Sequence, residues 1–261
     1  MKRKIFKILR WTLLLVYLIV IMGFVNKERT GLYCSKVNII IDKPHTFINK
    51  ETVENLLIKN DIILDSNLIE NINFDAIEKL IETNPAVKTA DIYNNFLGEV
   101  FIDIKQRNPV MRIVTEDNDH YYVDDNQELM PVSHNYAASV PVVSGHIDNR
   151  FVYCIGNTDT VQNNILNYPF APKDLYDFVL YLNHNSLWKY QIEQIYITEN
   201  KEIELVPRVG NHIIILGDLK DYEYKLNKLV SLYKNGFSNN DWNIYSSINL
   251  KYSDQVICKK R

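Results

Sequence analysis

The sequence predicts an α+β protein: an N-terminal transmembrane helix, a compact strand–helix–helix–strand–strand domain, and a mixed α/β domain with a largely antiparallel sheet. Three observations carry this. Residues 11–25 form an uncharged apolar run at the start of the chain. Residues 36–107 alternate between period-2 and period-3.6 hydrophobic patterning in a fixed order. Residues 108–258 hold a series of short β-branched stretches interrupted by two amphipathic helices.

The run reads Trp11-Thr-Leu-Leu-Leu15-Val-Tyr-Leu-Ile-Val20-Ile-Met-Gly-Phe-Val25. Roughly 20 residues cross the hydrocarbon, and the preceding Ile5, Phe6, Ile8 and Leu9 bring the run to length. Lys2, Arg3, Lys4, Lys7 and Arg10 precede it with no acidic residue. Basic flanks stay in the cytoplasm, so residues 1–10 are expected as a cytoplasmic tail and residues 11–25 as a signal anchor. Trp11, Leu15, Val20 and Val25 mark the expected span. The competing reading is a cleaved secretory signal, which wants small residues at its end. The run ends Met22-Gly-Phe-Val-Asn-Lys-Glu28 instead. Lipid attachment at Cys34 is disfavoured by the bulky Tyr33 before it.

In the first domain, Val37–Ile41 reads as a strand on its β-branched content. Asn49 is a candidate N-cap for a helix over 50–59, with Val53, Leu56 and Leu57 on one face. A second helix is expected near 74–83 with the stripe Ile77, Leu80 and Ile81, ended by Asn84-Pro85. Val87–Tyr93 and Glu99–Gln106 read as strands around an Asn94–Gly98 turn. In the last of them Val100, Ile102 and Ile104 alternate with Phe101, Asp103 and Lys105, the mark of a half-buried strand.

In the second domain, residues 120–123 and 128–132 predict a hairpin. Helices are expected at 172–184, with Leu175, Phe178, Val179 and Leu182 inward, and at 221–234, with Tyr222, Leu226, Leu229 and Tyr233 inward. Residues 193–198, 202–206 and 212–216 read as further strands. The final stretch, Ile248–Ile257, reads as a terminal strand.

Composition narrows the function. Without the five basic tail residues, 24 Lys and Arg face 32 Asp and Glu, a charge of about −8. Nucleic acid wants a basic face, so it is not an expected partner. There are 8 glycines in 261 residues, against a usual share of roughly 7%, and no phosphate-cradling loop is visible. Cys34, Cys154 and Cys258 could form one pair at most; buried thiols are the simpler reading. The six His residues show no metal-binding spacing. Asp117-Asn118-Asp119 starts like a calcium loop, but Tyr122 stands at the glycine position. Asp124-Asp125 could serve as an acid/base pair, though a hairpin turn with solvated carboxylates explains it better. No catalytic residue, cofactor or metal site is assigned.

Several phrases resemble a known family. Asn84-Pro85-Ala86-Val87-Lys88-Thr89-Ala90-Asp91-Ile92 is similar to the "P-x-V-x-x-A-x-V" of POTRA domains. Val100 to Val110 resembles the strand and "E-R-x-P-v" closing that domain in the bacterial division proteins FtsQ/DivIB, with Gln106 in place of Glu. Val140-Pro141-Val142-Val143-Ser144-Gly145 resembles that family's "lP-x-l-x-G". The hairpin near 124–128 lacks the family's glycine, its place taken by Gln127 or a neighbour. Ile248-Asn-Leu-Lys-Tyr-Ser-Asp-Gln-Val256 resembles its terminal "v-D-L-R-Y-x-n-q-v", with Asn249 for Asp and Lys251 for Arg.

The resemblance covers the whole chain. It implies a POTRA domain over 36–107 and an FtsQ-type β domain over 108–258. It further implies a non-enzymatic, single-pass inner-membrane scaffold of the divisome that binds FtsB/FtsL-type coiled-coil proteins and other division proteins at the septum. Lys251, Tyr252, Asp254 and Gln255 are the implied partner-binding residues, with Tyr233 and Trp242 beside them. On physical grounds, a final strand at a sheet edge offers open backbone groups to a partner strand, and Tyr favours interface hot spots. For the POTRA domain only the 84–92 strand suggests a surface. The alternatives are a POTRA-bearing envelope assembly factor, which predicts further POTRA repeats or a barrel, and a membrane-anchored envelope enzyme, which predicts converging polar groups in a cleft.

Overall fold

The computed structural model describes residues 10–21, 31–42, 46–133, 136–156, 168–237 and 241–261. Helix α1 covers residues 10–21. Trp11, Leu15 and Val20 lie on it and are exposed; Val25 and most of the basic tail lie outside the described residues. No helix among the described residues is long and apolar enough to cross a membrane, so the expected 11–25 span is described only in part.

The chain divides between Gln106 and Arg107 into two compact units. The first holds β1 (Lys36–Ile41), α2 (Lys50–Lys59), a 3₁₀ turn (Ile69–Asn71), α3 (Phe74–Glu82), β2 (Val87–Asn94) and β3 (Glu99–Gln106). The sheet order is β1-β3-β2. β1 runs parallel to β3, and β2 antiparallel to it. A parallel neighbour needs a crossover, which α2 and α3 supply. Asn49 caps α2 as expected, its Oδ1 accepting from the Thr52 N–H at 2.7 Å. Val53, Leu57, Ile77 and Ile81 pack with Val100, Ile102 and Ile104. The period-2 alternation of β3 thus sorts its core face from the face where Phe101 stacks on Tyr93 at 5.3 Å.

Gln106 shows why an amide fits there. Its Oε1 accepts from the Ile48 N–H at 3.1 Å and its Nε2 donates to the Asp42 carbonyl at 2.9 Å. An ionised carboxylate could not make the second bond.

The second unit holds β4 (Pro109–Val114), β5 (His120–Asp124), β6 (Leu129–Pro131), β7 (Val142–Gly145), α4 (Asn149–Tyr153), α5 (Pro172–His184), α6 (Trp188–Gln191), β8 (Ile192–Ile197), β9 (Ile203–Pro207), β10 (Ile213–Gly217), α7 (Tyr222–Asn235), β11 (Tyr245–Asn249) and β12 (Ile257–Lys260). One sheet joins them in the order β12-β11-β10-β9-β8-β7-β4-β5-β6. Antiparallel pairs outnumber parallel ones; β4–β7, β7–β8 and β10–β11 are the parallel ones. Leu175, Phe178, Val179 and Leu182 of α5 and Leu226 and Leu229 of α7 are fully buried against the sheet, as their spacing predicts.

Two expectations are corrected here. Asp124 is not solvated: it is wholly buried. Its Oδ1 accepts from the N–H of Asn126 at 2.9 Å and of Glu128 at 2.8 Å, and Oδ2 meets Arg107 at 3.3 Å. The carboxylate shapes the hairpin, and Gln127 carries the positive φ (65°) a turn glycine would supply. The expected terminal strand is also not continuous. β11 stops at Asn249, residues 250–256 form a loop, and β12 starts at Ile257. The Asn249 Oδ1 accepts from the Lys251 N–H at 2.9 Å, a local side-chain turn that competes with the ladder.

Candidate functional site

The expected partner residues gather around α7, the 250–256 loop and β12, but not as one patch. β12 is the outermost strand of its sheet. Its inner side pairs with β11, Cys258 opposite Ile248, and its other side is a sheet edge with Ile257 exposed. Such an edge presents backbone donors and acceptors.

The loop is pinned to α7. The Lys228 Nζ donates to the carbonyls of Leu250 and Ser253 at 3.3 Å each, and also to that of Tyr252. The Tyr224 hydroxyl donates to the Ser253 carbonyl at 3.0 Å. Lys228 also sits 5.3 Å from the Tyr224 ring centre. Burial lowers the Lys228 pKa, the nearby Lys225 lowers it further, and Asp254 offsets part of this. One ammonium thus neutralises three carbonyls that no strand partner covers.

The pinned loop and the helix enclose a groove of about 440 Å³, lined by Tyr224, Lys228 and Leu232 on one side and Asp254, Gln255 and Val256 on the other. Tyr252 stands beside it, 49% exposed, its backbone fixed and its ring free of any ring stacking among the described residues. A groove with polar walls and apolar patches next to an open strand edge can take an extended or helical peptide.

Lys251 behaves differently. Its Nζ pairs with Glu202 Oε1 at 2.5 Å, and that hydrogen bond raises its pKa. Tyr233 and Trp242 belong to another cluster, toward the C-terminal end of α7. The Tyr233 hydroxyl meets His212 Nε2 at 2.8 Å. Tyr233, Phe237 and Trp242 pack ring on ring at 4.8–5.3 Å. Burial pushes the Tyr233 phenol up, with Cys258 adding to it, and burial lowers the His212 pKa although the Trp242 carbonyl raises it. This half-buried cluster closes the end of the sheet.

Lys228 and Tyr224 were missed in the sequence. Their i, i+4 spacing on one helix face was a signal, but nothing local says that a loop lies across that face.

Other sequence candidates take structural roles. Asn149 Nδ2 donates to Asp117 at 3.1 Å and to Asp119 at 2.8 Å, so an amide occupies the would-be calcium loop. Among the described residues no group of three or more His, Cys, Asp or Glu could hold a metal ion. All three cysteines are free thiols, and burial raises the pKa of each. The 84–92 strand suggested for the first unit, β2, is an outer strand of its sheet with two of its N–H groups already bound. Glu82 Oε1 accepts from the Ala90 N–H at 3.1 Å and Glu78 Oε1 from the Ile92 N–H at 2.6 Å. Carboxylates of α3 thus occupy two of the donors a partner strand would use.

Comparison with known proteins is consistent with this architecture. Residues 108–259 match the family described as FtsQ/DivIB, C-terminal related. Residues 32–105 match the POTRA-like domain. A cell division protein DivIB from Clostridium tetani is 27% identical over 197 residues, covering 72% of this chain and 71% of that protein.

Proposed function

The chain belongs to the FtsQ/DivIB family, and from that premise we propose that it is a non-enzymatic scaffold of bacterial cell division, anchored by one membrane helix. Its second unit binds an FtsB/FtsL-type coiled-coil protein, and this binding helps control septal peptidoglycan synthesis. The observation that carries the reading is the groove between α7 and residues 254–256, with Tyr252 exposed on the same loop, which leads into the edge strand β12. Tyr252, Asp254 and Gln255 form the contact, and Lys228 and Tyr224 hold the loop backbone at Tyr252 and Ser253. Lys251, tied to Glu202, steers at the margin. Tyr233 and Trp242 support the sheet from behind.

The anchor rests on α1. Its apolar side chains from Trp11 to Ile21 are all exposed, a run of unburied surface that a bilayer would cover. The basic residues before it in sequence favour a cytoplasmic N-terminus, leaving both units outside the cytoplasmic membrane.

Two measurements test this. Depletion in the native bacterium should give filaments that segregate DNA but do not constrict. Normal division with a defective envelope would instead point to an assembly factor. For the site, Tyr252→Glu should abolish binding of the coiled-coil ectodomain while the far-UV spectrum and thermal transition stay unchanged. Normal affinity in that variant would overturn the site assignment without touching the family.

A further inference from the structure

We propose that the tip of the β2–β3 hairpin, Phe96 and Leu97, dips together with Tyr33 into the lipid interface of the membrane that holds α1. The inference rests on the reading of α1 as a membrane anchor.

The tip is exposed in an unusual way. Phe96 is 85% exposed, Leu97 77% and Tyr33 60%. Adjacent large apolar side chains at such exposure mark an interaction surface. The turn Asn94–Gly98 carries no charged side chain, and the nearest carboxylate, Glu99, is drawn back onto Asn95 Nδ2 at 2.6 Å.

The tip is held beside the point where the chain enters the domain. The Ser35 N–H donates to the Gly98 carbonyl at 2.9 Å, and the Ser35 hydroxyl to the Leu97 carbonyl at 3.2 Å. Gly98 has φ +79°, and a Cβ there would come within 2.3 Å of the Tyr33 carbonyl oxygen. Only glycine allows this approach. From residue 21 on α1 to Gly31 the chain can reach at most ~36 Å, at 3.3–3.6 Å per residue. That tether leaves the tip within reach of the membrane surface.

Much of the turn's backbone is paired within the unit. Asn95 Oδ1 accepts from the N–H groups of Leu97 at 2.9 Å and Glu99 at 3.0 Å. The Gly98 N–H donates to the Asn95 carbonyl. Both backbone groups of Leu97 and of Gly98 are thus paired inside the unit. Paired backbone favours entry into lipid; the N–H and C=O of Phe96 have no partner among the described residues and would be met by headgroups or interfacial water while its ring enters. Tyr suits the headgroup level, and Phe and Leu the layer beneath.

The test uses the full-length chain in nanodiscs of phosphatidylcholine and phosphatidylglycerol, with and without brominated acyl chains. Phe96→Trp, and separately Leu97→Trp, adds an emission read by difference from the parent. Trp11→Phe isolates the contribution of α1. The expected result is an added emission that is blue-shifted and loses most of its intensity in brominated discs, as Trp11 does. An added emission that stays water-like while Trp11 is quenched overturns the proposal and leaves the anchor standing. If Trp11 is not quenched either, the anchor reading fails and this inference falls with it.

Discussion

The Lys228 ammonium donates to the backbone carbonyl of Tyr252, so a lysine on α7 fixes the backbone of the residue expected to meet the partner. The same ammonium reaches Leu250 and Ser253, and with Tyr224 it replaces the ladder that β11 gives up at Asn249. The loop is ordered without a strand because one charged donor serves several carbonyls.

Lys228→Met keeps the apolar stem and removes that donor. The three bonds share one partly exposed ammonium, so their joint loss is set at the scale of a single charged hydrogen bond, about 1.5–3 kcal/mol, and loop opening should become easier by about 2 kcal/mol. Hydrogen exchange at residues 250–254 should rise while α7 and β11 stay protected. Affinity for the coiled-coil ectodomain should drop about tenfold or more, since each 1.4 kcal/mol is a factor of ten. Unchanged exchange in the loop would refute the role of Lys228.

His212 is buried and meets the Tyr233 hydroxyl and the rings of Phe237 and Trp242. Burial lowers its folded pKa below the unfolded value of ~6.5. The unfolded state then binds the extra proton as pH falls. This contribution to stability is therefore fully present above about pH 6.5 and declines below it, down to the folded pKa. Urea titrations of the wild type should show that decline, and His212→Gln should flatten it. Tyr233→Phe removes the Nε2 partner and should cost about 1–3 kcal/mol at neutral pH.

Asp124→Ala tests the buried carboxylate. It removes two turn N–H bonds and a partner of Arg107. Breaking a buried ion pair costs ~3–5 kcal/mol. Arg107 keeps its bond to Glu128, which places the loss toward the lower end. The second unit's unfolding transition should shift accordingly, and the first unit's should not.

Gly98→Ala should destabilise the first unit. A left-handed backbone costs a non-glycine residue roughly 1–2 kcal/mol, and the Cβ would also press on the Tyr33 carbonyl oxygen. Chemical denaturation should show a loss above that strain alone, with weaker exchange protection at Ser35.

Most elements were legible because their signals are local. The helices at 50–59, 74–82, 172–184 and 222–235 match their 3.6-residue stripes, and the β3 alternation named its core residues. Short elements were not legible. α4 and α6 are too brief to show a period, and the capping carboxylate of Asp148, accepting from the Phe151 N–H at 2.7 Å, was the one clue to α4. In the candidate site, Tyr252, Asp254 and Gln255, expected on a terminal strand, lie on the loop between β11 and β12.

The sequence by itself determined the longer helices and strands, the two-part organisation and the family resemblance, since hydrophobic period, turn residues and motif spacing are written along the chain. Tertiary structure alone decided that Asp124 is buried, that α3 carboxylates bind two N–H groups of the β2 edge, and that Lys228 holds Tyr252. Each of these depends on which backbone donors and acceptors remain unpaired after the sheets form, and that is fixed by strand order and register across many residues.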